Sequence, residues 1–446
     1  MQAELRLAIP AGARKIIERH PCFRPPLAGR ASTRRETAAC FVTADPALAG
    51  GGESLRDPVF RSEIRRTRRR VSLGHATEVE IVFDEGVLIA GEVREPVSEL
   101  GIALLGGSRE PLYRLALDLH AMSPLTILVE SRAERGSRLR AGASPRPVKA
   151  QAPVLDAGST LHDAVRRIFG VVLAQLLANQ AVLQGGDPEG VHQMRVAVRR
   201  LRSALGLLAR YLEPHAAARY GALAAELGRV LGVARDWGVF LQETLPNAAA
   251  AGQAPLLAPL WAAAEAQLQR TQEGAERAVA DPAFTGLALA LFAWVEGSAW
   301  APAGRRKKPW LEQPIIVLAP AMLDRLARSV ARRGKHVGDD DPEALHQLRK
   351  SLKRLRYGVE FLGSLYPLAR VRRFLRACGA LLEALGAIND MESAGNLAEQ
   401  AVERGGQDLE PQARLIREWS EKRSAEANAT VKDLWRRFEE AERFWE

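Results

Sequence analysis

Beyond residue 156, apolar residues recur every three and four positions; before residue 142 they alternate with polar ones. The seam Val191, Met194, Val198, Leu201, Leu205, Leu208 has a counterpart in Leu345, Leu348, Leu352, Leu355, Val359, Leu362. That spacing puts each set on one helical stripe facing a core. The same periodicity predicts helices over 161–184, 188–212, 216–243, 255–278 and 281–298, then over 315–335, 342–363, 368–401 and 408–444. Earlier in the chain, TEVEIVF (77–83) and ELGIALL (99–105) alternate with period two, as half-buried strands do, and a helix follows near 109–121. The Ala- and Pro-rich stretch 143–156 reads as a linker, and 299–314 as a connection. Arg305, Arg306, Lys307 and Lys308 in that connection read as a solvated loop. The expected chain is multidomain: a smaller α+β domain over 1–142, the linker, and a mainly all-α domain over 157–446 with halves 157–298 and 315–446.

The two halves share a helix. DPEGVHQMRVAVRRLR (187–202) and DPEALHQLRKSLKRLR (341–356) are identical at nine of sixteen positions, at an offset of 154. The offset also carries Leu231-Gly232 onto Leu385-Gly386 and Asp236 onto Asp390, which marks an internal duplication. Each copy opens with a capping Asp, a Pro suited to the first helical position and a Glu that complements the helix dipole.

One step round from each apolar seam runs a basic stripe: His192, Arg195, Arg199, Arg202, and again His346, Arg349, Lys353, Arg356. Arg200, Lys350 and Arg354 are adjacent cations at other helical angles. No carboxylate falls between His192 and Arg202 or between His346 and Arg356. A solvated helix face usually mixes signs and supports itself with i,i+4 pairs. A basic run on a single helix is most simply a solvated face, and a lone His beside a seam a structural residue. Repetition of the whole pattern shifts the balance toward a long anionic partner.

The formal net charge of +10 fits a polyanion without choosing one. Aromatics make up 6% of the chain and do not interleave with the basic stripes, Tyr357 excepted, which argues against single-stranded nucleic acid. Cys22, Cys40 and Cys378 form neither a disulfide framework nor a zinc pattern. No long uninterrupted apolar stretch predicts a membrane span. A cytoplasmic protein is the expectation.

The motif H-Q-[ML]-R-x-x-[VL]-[RK]-R-L-R, its preceding Asp-Pro-Glu and the later Leu-Gly-x-x-[RN]-Asp segment resemble the CHAD domain, the conserved histidine α-helical domain. The resemblance covers roughly 157–446 in both halves. It implies two four-helix bundles related by a pseudo-twofold axis, with basic faces lining a groove or pore, and it implies inorganic polyphosphate as partner. Carried onto this chain, the binding residues would be His192, Arg195, Arg199, Arg202, His346, Arg349, Lys353 and Arg356, with Arg200, Lys350 and Arg354 secondary. Asn389 stands where the first copy has Arg235. Association with polyphosphate granules would follow.

The first 142 residues resemble a CYTH domain, the triphosphate tunnel fold, in AELRLAIPAGARKIIERHP, in the segment from Ile64 to Gly107, and in SRAERGSRL (131–139). That resemblance implies a partial antiparallel β-barrel. Active members carry E-x-E-x-K on the first strand, whose side chains meet a metal and phosphates inside the tunnel. Here those positions are Gln2, Glu4 and Arg6. Glu99 is followed on its face by Gly101, Ala103 and Leu105, while Glu78 and Glu80 survive with Arg132, Arg135 and Arg138. No middle strands are legible in the Pro/Gly/Ala-rich stretch 24–58, and Gly50-Gly51-Gly52 reads as loop. A degenerate, inactive domain is the expectation. Were it active, it would be a metal-dependent triphosphatase holding Mg²⁺ or Mn²⁺ through Glu4, Glu78, Glu80 and Glu99. Three readings thus differ in class: a polyphosphate-binding protein, a metal-dependent triphosphatase fed by the helical domain, and a nucleic-acid binder.

Overall fold

The structure is a computed structural model and describes residues 4–24, 29, 32–40, 59–74, 76–303, 309–338 and 341–446. Gln2, Gly50-Gly51-Gly52 and the run Arg305–Lys308 lie outside the described residues. The chain divides into two compact units. One comprises Met1–Val148 with Leu177–Gly185 and Val279–Ala299; the other comprises Lys149–Leu176, Gly186–Ala278 and Trp300–Glu446.

The first unit is built on β1 (Glu4–Ala8), β2 (Ser32–Cys40), β3 (Phe60–Leu73), β4 (Thr77–Ala90), β5 (Val93–Gly106) and β6 (Thr126–Ile127). They form one antiparallel sheet in the order β2-β3-β4-β5-β1-β6. Period two sorts its faces. Leu5, Leu7, Val79, Ile81, Phe83, Leu100 and Ile102 are buried on one side. The short α1 (Arg14–Ile17) contributes Ile17, and α2 (Glu110–Met122) contributes Leu112, Leu115, Ala116 and Leu119 to the buried set. On the other face α3 (Arg132–Arg140) lies over β3 and β4. Leu139 packs there against Phe60, Ile64, Leu88, Ala90 and Val97, and Gly136 sits flush on the Phe60 ring, where any Cβ would collide. The sequence missed β2 because its apolar signal is thin: the strand is held by pairing with β3, Arg34 opposite Arg66 and Glu36 opposite Ile64.

The helices follow in order: α4 (Leu161–Ala178), α5 (Gln180–Gln184), α6 (Pro188–Leu207), α7 (Pro214–Val239), α8 (Leu245–Ala248), α9 (Ala258–Ala280), α10 (Pro282–Glu296), α11 (Ile315–Gly334), α12 (Pro342–Leu362), α13 (Leu368–Gly405) and α14 (Glu410–Glu439). The expected 161–184 helix breaks at Asn179, whose side-chain amide bonds both the N–H and the carbonyl of Val148 at 2.9 Å. In the first unit α10 packs along α2, with Tyr113 stacked on Phe292 at 4.9 Å. In the second, α6 packs on α7, α11 on α12, α13 on α14, and α6 meets α12. A core of Trp237, Phe240, Leu260, Ala264, Leu397, Ala398 and Ile416 joins α7, α9, α13 and α14. The predicted 216–243 helix passes into a π-helical turn at Phe240–Thr244. By length and composition the span 161–184 could cross a membrane, but 67% of it is buried within the protein, as a core helix is.

Candidate functional site

The site is carried by α6 and α12, and both helices start in the same way. Asp187 accepts from Glu189 N at 2.8 Å and Asp341 from Glu343 N at 2.9 Å, each followed by a first-turn Pro. Gln193 donates to Glu189 and Gln347 to Glu343, one turn back. The apolar seams are buried: Val191, Met194, Val198 and Leu201 on α6, Leu345, Leu348, Leu352 and Leu355 on α12. Burying the seam fixes how each helix presents its neighbouring basic stripe.

The structure sorts that stripe into an inner and an outer set. Arg195, Arg199, Arg349 and Lys353 are half-buried and lie near enough to act on one another across the two copies. Burial lowers the Arg199 pKa, and Arg195 and Arg349 push the same way. Burial lowers that of Arg349 too, against Asp390. Lys353 is taken down to about 7, by burial first and then by Arg349, Arg199 and Arg195. Arg199 and Lys353 occupy equivalent positions in the duplication, and neither makes an ion pair among the described residues. The Arg199 Nε is buried and has no hydrogen-bond partner among the described residues.

Arg195 and Arg349, also equivalent, are held. Arg195 Nη1 donates to Asp236 Oδ1 at 2.6 Å and to the Gly232 carbonyl at 2.9 Å. Arg349 Nη2 lies 3.9 Å from Asp390 Oδ1. The absence of carboxylates from α6 and α12, read in the sequence as a sign of an external anion, is therefore partly compensated inside the fold, from α7 and α13. In the sequence Asp236 and Asp390 mark the duplication; their pairing with these arginines shows only in the fold. The signal was the shared offset with Gly232 and Gly386.

The histidines differ. His346 Nδ1 bonds Asn389 Oδ1 at 2.8 Å, and since a carbonyl oxygen accepts, Nδ1 carries the proton and Nε2 is left for another partner. His192 has a buried Nδ1 without a partner. Burial, followed by Arg235, lowers its pKa from the ordinary value and so favours the neutral ring.

The remaining cations stand apart from the inner set. Arg202, Lys350, Arg354 and Arg356 are exposed. Arg356 pairs with Glu360 at 2.8 Å along its own helix. Burial, then Arg333 and Arg202, lower the Arg354 pKa, so Arg202 and Arg354 are neighbours. Arg200 is drawn into the core, 1% exposed, instead of facing a ligand. It donates to Gln175 Oε1 at 2.9 Å and to the Gln151 carbonyl, and lies 5.3 Å from the Phe361 ring centroid. Gln175 donates on to Gln193 at 3.1 Å and Gln193 to Glu189 at 2.7 Å, a buried polar chain running up α6.

The sheet of the other unit carries the carboxylates that a metal would need. Register places Glu4 and Arg6 of β1 on the face of Glu99, Gly101 and Ala103, with Glu80 and Asp84 of β4 beside them. Among the described residues no group of three His, Cys, Asp or Glu could hold a metal ion. Arginine has taken the carboxylates. Asp84 receives Arg66 at 2.7 and 2.8 Å and Arg132 at 2.8 Å. Glu99, 4% exposed, receives Arg135 at 2.6 Å, with Arg6 at 3.7 Å and Arg132 at 3.8 Å. Glu80 pairs with Arg68 at 3.8 Å; Glu4 and Glu78 are exposed. Arg138 is committed to Glu130 at 2.8 and 2.9 Å. A divalent cation needs convergent, uncommitted oxygens, so these residues do not fit Mg²⁺ or Mn²⁺.

Fold and site define a duplicated helical unit whose two copies pool their cations in one cluster. Residues 167–399 match the CHAD domain family, and this chain belongs to it. The crystal structure of the CHAD domain from the plant Ricinus communis is similar with a TM-score of 0.58 at 32% identity, over 65% of this chain and 96% of that one. PptA from Streptomyces chartreusis gives a TM-score of 0.47 at 18% identity, over 62% of this chain and all of that one (100%). An inorganic triphosphatase of Haemophilus influenzae is 30% identical over 83 residues, 19% of this chain. The match spans only 23% of that relative's length.

Proposed function

We propose that this chain binds inorganic polyphosphate through the cluster that α6 and α12 build together, and that its helices form two four-helix bundles related by a pseudo-twofold axis. The observation that carries the reading is the pair Arg199 and Lys353: equivalent in the duplication, half-buried, surrounded by like charge and without an ion pair among the described residues. Holding such cations away from water is costly unless an anion arrives. A chain of phosphates supplies one charge after another, and guanidinium meets phosphate oxygens bidentately. Membership of the CHAD family, a resemblance that implies this polymer, supports the same ligand. His346, with Nε2 left for a partner, flanks the cluster. Arg202, Lys350, Arg354 and Arg356 act as an outer field that steers the polyanion. We place the protein in the cytoplasm, partitioning to polyphosphate granules.

The second reading is a metal-dependent triphosphatase in the N-terminal, CYTH-like unit. The likeness to the Haemophilus influenzae enzyme favours it; the arginine-bound carboxylates weigh against it. Metal-stimulated release of phosphate from tripolyphosphate would establish that reading.

The test is titration of the full chain with long-chain polyphosphate beside charge-matched single-stranded DNA, at ~150 mM salt where surface attraction is largely screened. Arg195→Ala/Arg349→Ala runs in parallel. Each charge-assisted contact is worth about 1.5–3 kcal/mol, so the double variant should lose polyphosphate affinity by roughly 100-fold or more. Equal affinity for both polymers, or an indifferent variant, overturns the proposal.

A further inference from the structure

We infer that Asp236 and Asp390 are positioning residues, which hold Arg195 and Arg349 in the orientation that reads a phosphate chain; this rests on the polyphosphate reading above. Neither aspartate lies on the basic helices. Each is supplied by the following long helix of its own copy, four residues before a point where the duplicated helices diverge: α7 enters the π-helical turn at Phe240, while α13 runs on to Gly405. The two copies keep the Asp and, four residues earlier, a Gly in contact with the arginine. The nearest atom to a Cβ built on Gly232 is Arg195 Nη1 at 3.7 Å, and on Gly386 it is Arg349 Nη2 at 3.7 Å. Arginine, carboxylate and small residue thus recur as a set at the offset of 154.

The contacts show what the set does. Both bonds to Arg195, from Asp236 and from the Gly232 carbonyl, use Nη1 and leave the Nη2 donors for another acceptor. In the second copy the Arg349 contact is longer, and Asp390 is shared with Asn389, which donates to it at 3.3 Å. The two carboxylates also line one cavity of about 30 Å³ with Phe240, Thr244, Ser393 and Leu397, so both holders stand at the same place between α7 and α13. That volume admits a water and little more.

Charge alone predicts the opposite of positioning. Two carboxylates near a bound polyanion repel it, so removing them should tighten binding to any polyanion. A guanidinium without a holder, set among Arg199, Arg349 and Lys353, swings away from its neighbours, and the rotamer entropy of a long side chain is then lost on binding. Retention of an aspartate at both positions makes sense if preorganisation outweighs repulsion.

The experiment titrates full-length Asp236→Ala/Asp390→Ala and Asp236→Asn/Asp390→Asn with long-chain polyphosphate and with charge-matched single-stranded DNA, beside the wild type. The alanine pair should lose polyphosphate affinity by about tenfold or more while DNA affinity holds or rises, a change of selectivity that general loosening would not produce. The asparagine pair keeps an acceptor for each arginine and should fall between. If the alanine pair does not fold, the isosteric asparagine pair decides: weaker polyphosphate binding despite the lost negative charge supports positioning. Polyphosphate binding as tight as or tighter than wild type in a folded variant overturns it, as does a parallel loss for both polymers. A wild type that ignores polyphosphate sinks the ligand assignment instead, and that outcome is read independently of the variants.

Discussion

Replacing Lys353 by Met should stabilise the unliganded protein while weakening its grip on polyphosphate. The ammonium is half-buried among Arg349, Arg199 and Arg195, with Asp390 opposing them, and its pKa falls from 10.5 to about 7. At about 1.4 kcal/mol per unit, that shift sets a ceiling of roughly 5 kcal/mol on what the charge costs the fold. Partial exposure and relaxation reduce the gain expected in Lys353→Met to about 1–3 kcal/mol. The sign is fixed by linkage. Above pH 7 the folded state has released a proton that the unfolded state still holds, so wild-type stability rises with pH. The advantage of Lys353→Met should therefore be full below pH 7, shrink between pH 7 and 10.5, and vanish above. Denaturant unfolding of both proteins at pH 6, 7, 8.5 and 10.5 measures it. Polyphosphate would raise the lysine pKa again, so binding at pH 8 should take up a proton, read as a dependence of calorimetric enthalpy on the buffer's ionisation heat. A variant no more stable than wild type at pH 6, or an advantage that does not change with pH, refutes the reasoning.

Arg200→Met should separate stability from binding: it leaves Gln175 Oε1 and the Gln151 carbonyl without their donor, at about 1–3 kcal/mol for each group. Its polyphosphate affinity at a temperature where it stays folded should match wild type, and a large loss of affinity would return Arg200 to the ligand-binding set. In the sheet unit, millimolar Mn²⁺ should leave the melting profile unchanged, whereas Asp84→Ala, which takes the shortest ion pair from Arg66 and Arg132 and leaves them Glu36 at 3.0 Å and Glu99 at 3.8 Å, should cost about 1.5–3 kcal/mol in that unit. A Mn²⁺-dependent rise in melting temperature would show that the arginines yield the carboxylates to metal.

Periodicity carried much of the fold because each helix buries one stripe, and a stripe of three- and four-residue spacing is a local property of the sequence. The long helix Leu368–Gly405 and the strands around 77–83 and 99–105 follow from such patterns. Strand β2 and helix α3 did not, because their positions come from partners: β2 from its ladder with β3, α3 from Arg132 and Arg135 reaching Asp84 and Glu99. The break at Asn179 also depends on a residue far back in the chain, Val148.

For the site, the duplication, the basic stripes and the residue types available to an anion are legible along the chain alone. Offset identity and helical geometry are one-dimensional, and they needed no partner to be read. Which cations cluster is a property of the folded chain, because it depends on α6 meeting α12. The fold turned Arg200 into a core residue, left Arg199 and Lys353 without an ion pair among the described residues, and brought Asp236 and Asp390 to Arg195 and Arg349. It also gave two histidines of identical motif different states, one bonded to Asn389 and one pressed by burial and Arg235. Burial and long-range charge are properties of neighbours in space, and no spacing along the chain encodes them.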